Sequence, residues 1–204
     1  MYVGHAALAT LAKAARRRVP LAVLVPVAYA PDWVEWLLDT FGITNRELSH
    51  SLVAVGIGAT AIAALYWLIR RSMTDATVVW LTYASHWPAD FITGTKPTWP
   101  GGPTVGLNLY GHLGWDALVE SVLVVVCWLA YRRSVPPEAR RRSVGVLVPV
   151  GLIGMQLVFD AIQSSASLRS ELAACTIPGV AGAATALSFR SSAWLLQSSS
   201  GTPM

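Results

Sequence analysis

The sequence has few charged side chains and very few cysteines. Charged residues make up 13% of the 204-residue chain and hydrophobic residues 54%, whereas soluble domains carry about 25% charged residues. This balance excludes an ordinary soluble domain and indicates an integral membrane protein. Of the two cysteines, Cys127 lies in an apolar run, so we expect a buried thiol there and no disulfide with Cys175.

Several well-known functional signatures are also missing. The sequence contains no nucleophile elbow, P-loop, dinucleotide fingerprint or paired CxxC motif. It also lacks the internal repeats typical of transporters. The net charge of +4 comes mainly from basic clusters at residues 13–18, 70–71 and 132–142, which flank apolar runs. This placement predicts cytoplasmic loops by the positive-inside rule and no binding of nucleic acid.

Apolar runs predict the architecture, because a helix needs about 20 mostly apolar residues to cross a bilayer. Four runs qualify, at residues 48–69, 76–92, 114–131 and 144–162. Shorter apolar segments before them predict a short helical hairpin. We therefore predict an all-α, polytopic helical membrane protein with this N-terminal hairpin and about four transmembrane helices. Residues 1–165 would form a single helical membrane domain, followed by a C-terminal tail, 166–204, that stays unassigned.

Residues 16–30 also resemble a secretory signal peptide, because arginines precede an apolar run that ends in small residues. However, Pro20 and Pro26 interrupt the run, and its basic region lies unusually far from Met1. We therefore expect this segment to be retained as part of the hairpin.

The ionisable residues of the apolar runs lie mostly at the ends opposite the basic clusters. These residues are His5, Asp32, Glu35, His50, His86, Asp90, His112, Asp116 and Glu120. A random distribution would seldom place all four histidines at one end. The pattern therefore predicts a polar cavity, and the positive-inside rule puts it on the non-cytoplasmic side.

Histidine and carboxylate together favour a metal site, because imidazole nitrogen and carboxylate oxygen are usual ligands of zinc. A divalent cation would neutralise carboxylates that are costly at membrane depth. His86 and Asp90 lie one helical turn apart and could bind from the same helix. Pro88, between them, could kink that helix.

Other interpretations stay open for single residues. His50 could belong to a polar helix start that a neighbouring serine caps, and Asp32 could be a turn or N-cap residue. Glu120 could line a wet groove or pair with Lys96 or Arg46.

Five short motifs, in this order along the chain, resemble a family of bacterial membrane-bound metal-dependent hydrolases related to a LexA-binding inner-membrane family. They are GHAALA with His5, APDWVEWLL with Asp32, ELSHSLVA with His50, ASHWPADFITGTKPTWP with His86 and Asp90, and VGLNLYGHLGWDALVE with Glu120. The resemblance covers roughly residues 1–133.

The resemblance implies a helical membrane enzyme that activates water with a divalent metal, expected to be zinc. By position, the implied metal ligands are His5, Asp32, His50, His86 and Asp90. Glu120 matches a recurrent acidic position. One departure is that Gly94 and Thr95 occupy a region where many relatives carry another histidine.

These observations favour a multi-pass hydrolase in the bacterial inner membrane that cleaves a lipid or other ester, including a phosphoester. Glu120 or Asp90 would accept the proton from water as the general base. The expected partners are membrane lipids and a lipid or small-molecule substrate. Two alternatives remain: a cation- or proton-coupled permease, which would need polar residues at the other end of the spans, and a membrane scaffold with a structural metal.

Overall fold

In the computed structural model, residues 3–137, 149–158 and 161–162 are described. Residues 3–137 form, in order, α1 (Gly4–Ala15), α2 (Leu21–Ala28), α3 (Ala30–Thr40), α4 (Glu47–His50), α5 (Leu52–Arg70), α6 (Met73–Ala84), α7 (His86–Thr93), the hairpin β1 (Lys96–Pro97) and β2 (Thr104–Val105), a 3₁₀ turn (Leu109–Gly111) and α8 (Leu113–Ser134). A further apolar helix, α9, covers Pro149–Val158.

The chain forms two compact units, Met1–Asp160 and Ala161–Met204. In the second unit only residues 161–162 are described. The predicted tail 166–204 and Cys175 therefore lie outside the described residues, and the predicted domain 1–165 stays a prediction.

The described helices are consistent with an all-α membrane protein, but about four spans are not confirmed. Two helices are long and apolar enough to cross a bilayer, Leu52–Arg70 and Gly114–Ser134. A third span would be the pair Leu21–Ala28 and Ala30–Thr40, whose axes are bent by 54°. Of the run 144–162, the structure describes the short helix Pro149–Val158 and residues 161–162.

The predicted run 76–92 is divided between two helices that meet at Ser85. Proline explains the division, because its ring clashes with the carbonyl four residues earlier and its nitrogen donates no hydrogen bond. For Pro88 that carbonyl belongs to Ala84, the last residue of α6. A similar interruption separates α4 from α5 at Ser51, whose backbone is extended. The side-chain oxygen of Ser51 accepts a hydrogen bond from the backbone N–H of Ala54.

Helix packing depends on small residues and short apolar side chains. One core cluster joins α1, α2, α5 and α6 through buried side chains such as Leu24, Val55 and Val79, and another joins α1 to α8. A Cβ atom at Gly58 would lie only 2.2 Å from the Tyr83 hydroxyl, whereas one at Gly56 would meet nothing within 4 Å. The close contact of α5 with Tyr83 of α6 is therefore made at Gly58.

Basic residues mark one end of the helices. There Arg16 Nε donates to Asp75 Oδ1 at 2.5 Å, which joins the end of α1 to the start of α6. The Arg16 guanidinium lowers the pKa of the Asp75 carboxyl. The guanidinium of Arg71 lies 5.5 Å from the centre of the Trp67 ring. We call this the basic end.

Candidate metal centre

The candidate site is built at the opposite end, from residues at the ends of helices. His5 lies in the first turn of α1, Asp32 in the first turn of α3 and His50 at the last residue of α4. His86 begins α7, and Asp90 follows one turn later. The helix interruptions thus place five predicted ligands from four helices beside each other.

His86 has the most informative surroundings. Its Nδ1 lies 2.9 Å from the carbonyl oxygen of Ala28. Because a carbonyl only accepts, Nδ1 must carry the hydrogen, and in a neutral ring Nε2 then presents a lone pair. Nε2 faces Asp90 Oδ2 at 3.3 Å and Asp32 Oδ1 at 3.5 Å. It is buried and has no hydrogen-bond partner among the described residues.

His50 approaches the same two carboxylates. Its Nε2 lies 3.1 Å from Asp32 Oδ1 and 3.8 Å from Asp90 Oδ2. Two imidazole nitrogens and two carboxylate oxygens therefore alternate around a ring. Ligands of a tetrahedral ion with bonds of about 2.0–2.2 Å lie roughly 3.3–3.6 Å apart, which is close to the observed separations.

The other nitrogen of His50 faces Glu35, a residue that the sequence did not predict as part of the ligand set. His50 Nδ1 lies 3.3 Å from Glu35 Oε2 and 2.8 Å from the Ser49 hydroxyl. Glu35 Oε1 in turn accepts from Arg46 Nε at 2.5 Å. Groups of this kind orient metal-binding histidines. Two sequence signals pointed to Glu35: its place among the ionisable residues opposite the basic clusters, and its spacing of three residues from Asp32, which puts both on the same helix face.

His5 completes the cluster from α1. Its Nε2 lies 3.4 Å from Asp90 Oδ1, and its ring stacks on that of His86 with centroids 3.9 Å apart. His5 Nδ1 is buried and has no hydrogen-bond partner within the described part of the chain. Three sets of side chains place their ligand atoms within 4.8 Å of one another: His5 with Asp32 and His86, His50 with His86 and Asp90, and Asp32 with Glu35 and His50.

A lysine reaches the cluster from the hairpin. Lys96 Nζ lies 2.8 Å from Asp90 Oδ2, and its side chain is 20% exposed. The sequence predicted Glu120 as a possible partner for this lysine, whereas the structure pairs it with Asp90. Gly106 holds the hairpin close to α7, because a Cβ atom there would lie 1.9 Å from the Gly94 carbonyl oxygen.

Glu120 is placed differently from the other predicted site residues. Its Oε2 accepts hydrogen bonds from the backbone N–H groups of Val3 at 3.0 Å and Gly4 at 3.1 Å. Glu120 is fully buried and caps the start of α1, where a negative charge is favourable. This contact holds the start of α1 against α8. A role of Glu120 as a general base stays a prediction. His112 is exposed at the start of α8 and does not join the other three histidines.

The donor set fits a divalent cation. It offers buried imidazole nitrogens, two carboxylates that share them, and an Nε2 atom on His86 that lacks a hydrogen-bond partner in the described residues. Oxygen and nitrogen ligands of this kind suit zinc and related ions. The buried carboxylate of Asp90, whose side chain is 5% exposed, also needs positive charge nearby.

Fold and site together define a helical membrane protein with a buried cluster of histidines and carboxylates. The chain belongs to the YdjM inner membrane protein family, whose model matches residues 1–165. This match supports a bacterial inner-membrane protein family and extends beyond the residues that carry the motifs, whereas the metal-dependent hydrolase activity that the resemblance implied stays a prediction. No curated protein and no solved structure matches the chain.

Proposed function

We propose that this protein is a metal-dependent hydrolase of the inner membrane that cleaves an ester in a lipid-like substrate. The observation that carries the proposal is the orientation of His86. Its Nδ1 is fixed by the Ala28 carbonyl, so that its Nε2 faces Asp32 and Asp90. A lone pair opposite two carboxylates is unfavourable unless a cation lies between them.

Three side chains would hold the ion, His50, His86 and Asp90, and Asp32 would lie beside the open position that water takes. A divalent cation supplies Lewis-acid chemistry, which polarises an ester and makes water a better nucleophile near neutral pH. Glu35 and Ser49 fix the ring of His50, and the Ala28 carbonyl fixes that of His86. His5 approaches Asp90 Oδ1, and Lys96 approaches Asp90 Oδ2.

Asp32 is the carboxylate best placed to take a proton from water. Its side chain is 44% exposed, whereas that of Asp90 is 5% exposed. Asp90 is also engaged by Lys96, and Glu120 by the start of α1. We therefore assign the general-base role to Asp32 rather than to the two residues that the sequence suggested.

The alternatives receive less support. A permease needs a polar route towards the basic end, and the described helices fill that region with buried apolar side chains such as Val55, Ala59 and Val79. A purely structural metal favours a closed coordination sphere, whereas the exposure of Asp32 gives water access to the site.

The first experiment measures metal content by mass spectrometry in detergent-purified wild-type protein, His86→Ala and the matched control His112→Ala. We expect near-stoichiometric divalent metal in the wild type and the control, and its loss in His86→Ala. Equal metal content in all three proteins would overturn the assigned site.

The second experiment measures hydrolysis. Wild-type protein is offered carboxyl-ester and phosphoester lipids, before and after metal is removed by a chelator and restored. We expect turnover on one of these esters that disappears and returns with the metal. Tight metal binding without turnover on any ester would favour the scaffold.

A further inference from the structure

We propose that a groove between α5 and α6 at the basic end binds one anionic phospholipid, with an acyl chain in the groove and the headgroup at Arg70 and Arg71. This end of the helices lies opposite the histidine–carboxylate cluster, so the lipid is a resident of the fold and not a substrate. The proposal therefore goes beyond the proposed hydrolase and does not depend on it. Three observations support it: the lining of the groove, its length, and the charge at its open end.

The groove has a floor of small residues and sides of indole rings. Its volume is about 540 Å³, and ligand sites commonly measure about 300–1,000 Å³. Buried Ala63 and Ala76 lie at its floor, and Trp67 and Trp80 also line it. The indole Nε1 of Trp80 donates to Thr60 Oγ1 at 3.2 Å, which joins α6 to α5 at the inner end of the groove. The other residues that line the groove are Ala64, Met73 and Thr77.

The groove has the length of one bilayer leaflet. It extends from Thr60 and Trp80 to Trp67 and Met73, which lie next to the basic end. Thr60 lies ten residues before Arg70, the last residue of α5, and at 1.5 Å per residue this distance is about 15 Å. Half of a hydrocarbon core of about 30 Å is also about 15 Å. An acyl chain that enters from the basic end would therefore reach the hydrogen bond between Trp80 and Thr60.

Two arginines at the open end of the groove have no carboxylate partner among the described residues. Arg70 follows Trp67 by three residues, so both lie on the same side of α5. The guanidinium of Arg71 lies 5.5 Å from the centre of the Trp67 ring. Both arginines are exposed, whereas Arg16 at the same end is paired with Asp75. The open end of the groove therefore carries two positive charges that an anionic ligand would balance.

An anionic phospholipid fits these features better than other occupants do. Guanidinium groups donate strong hydrogen bonds to phosphate oxygens, and basic residues beside a membrane helix attract anionic lipids. The headgroup of a zwitterionic lipid adds a cation that offsets this attraction. A second copy of the chain would need a free carboxylate at the basic end. In the described residues of that end the one carboxylate, Asp75, is already paired.

Photolabelling tests the location of the lipid. Purified full-length protein in phosphatidylcholine nanodiscs receives a trace of phosphatidylglycerol or phosphatidylcholine with a diazirine in one acyl chain, and labelled peptides are identified by mass spectrometry. We expect the phosphatidylglycerol probe to label α5 and α6 above all other helices. Ala64→Phe should abolish this labelling, because its ring fills the groove. The matched control Ala61→Phe should retain it, since Ala61 is exposed on the same helix and does not line the groove. Labelling spread evenly over all helices, or equal in the two variants, would overturn the groove assignment.

Charge removal tests the headgroup. Each basic residue at a membrane surface strengthens the attraction of an anionic lipid about fivefold, so the wild type should prefer phosphatidylglycerol over phosphatidylcholine by a factor on the order of 25. The double variant Arg70→Gln and Arg71→Gln should lose this preference. Arg132→Gln is the control, because its guanidinium lies 5.1 Å from the centre of the Trp128 ring, which does not line the groove. It should retain the preference. Equal labelling of the wild type by both probes would overturn the anionic headgroup.

Nanodiscs that hold one copy or two copies of the protein test the remaining occupant. Equal groove labelling in both kinds of disc would support the lipid, whereas labelling that disappears in two-copy discs would overturn it in favour of a second copy. His86→Ala should leave the labelling unchanged, because the groove and the cluster lie at opposite ends. Loss of labelling in this variant would contradict a lipid site that is independent of the metal centre.

Discussion

Ionisable side chains differ in burial and in contacts between the two ends of the helices. At the basic end, Arg16 and Asp75 form a simple ion pair at the helix boundary, and Arg71 packs on the exposed ring of Trp67. At the site end, His5, His86 and Asp90 are almost completely buried and contact each other. The Arg16–Asp75 pair is partly buried, with side chains 32% and 11% exposed, and its two opposite charges offset each other, whereas fully buried clusters of ionisable groups are costly and mark function.

Helix interruptions follow the same division. Breaks at Tyr29, Ser51 and Ser85 lie close to the histidines and carboxylates. In α5 and α8 the helix is continuous from the site end to the basic end. Non-helical backbone at membrane depth occurs where protein surrounds it or where it lines a cavity. Substitutions at each end can therefore distinguish the contacts that metal binding requires from the contacts that only stabilise the fold.

The largest effect is expected from Glu120→Ala. This change leaves the buried N–H groups of Val3 and Gly4 without their acceptor, at a cost of about 1–3 kcal/mol for each. Because His5 follows directly, metal content should fall together with thermal stability. Both can be measured in detergent, by mass spectrometry and by thermal unfolding.

Glu120→Gln is the matched control, since its amide oxygen can still accept. It should retain most of the stability and the metal. If the Gln variant is stable and contains metal, yet its turnover is slower by about 100-fold or more, Glu120 acts as a general base after all.

Gly58→Ala should have the next largest effect, and it acts between the two ends. The added methyl group would overlap the hydroxyl of buried Tyr83, and overpacking of this kind costs about 1–3 kcal/mol. Gly56→Ala should be neutral or slightly stabilising, because nothing lies within 4 Å of its new Cβ. Equal unfolding temperatures for the two variants would contradict the packing of α5 on α6.

A pair of N-cap serines compares the ends directly. Ser51 caps α5 beside His50, and Ser72 caps α6 beside Asp75. Loss of either cap should cost about 1 kcal/mol of stability. Only Ser51→Ala should also weaken metal binding, measured by titration with a chelator, because it loosens the backbone next to His50. An equal loss of affinity in Ser72→Ala would show that the effect is general.

The smallest effect should come from Asp75→Asn. Arg16 holds the pKa of Asp75 below its usual value, so the unfolded chain binds the proton more readily than the folded one. The pair therefore stabilises the fold above the ordinary carboxyl pKa, and this contribution is lost as pH falls through the lowered value. Unfolding curves recorded across the acid range should depend less on pH in the Asn variant, while metal content at neutral pH stays unchanged.

The sequence predicted the helical membrane class and the residues that meet at the site. It did not predict the tertiary contacts that hold these residues in place. Positions at the helix ends grouped nine ionisable residues, and the resemblance to the hydrolase family implied the five that meet at the site. Membership of the metal site itself stays a prediction. Hydropathy alone did not separate α6 from α7, although Pro88 carried a signal for that break.

The remaining features depend on tertiary contacts that no local pattern encodes. Glu120 caps a helix more than 100 residues away, and Lys96 reaches Asp90 only through the fold of the hairpin. His112 is exposed and does not join the other three histidines. The sidedness of the site also stays a prediction, because it rests on the basic residues alone.

The distance from the basic end to His5 and His86 is shorter than a bilayer is thick, and this affects how a substrate reaches the site. His5 lies ten residues before the end of α1 at Ala15, and His86 lies thirteen residues after the start of α6 at Met73. At 1.5 Å per residue these distances are about 15 Å and about 20 Å, while the hydrocarbon core measures about 30 Å. With the basic end at one membrane surface, the imidazoles lie roughly 10 Å or more below the other surface. For the proposed hydrolase, the ester of a lipid-like substrate would have to descend by that distance, or the surrounding leaflet would have to become thinner. Turnover should therefore be faster in bilayers of short-chain lipids than in thick ones.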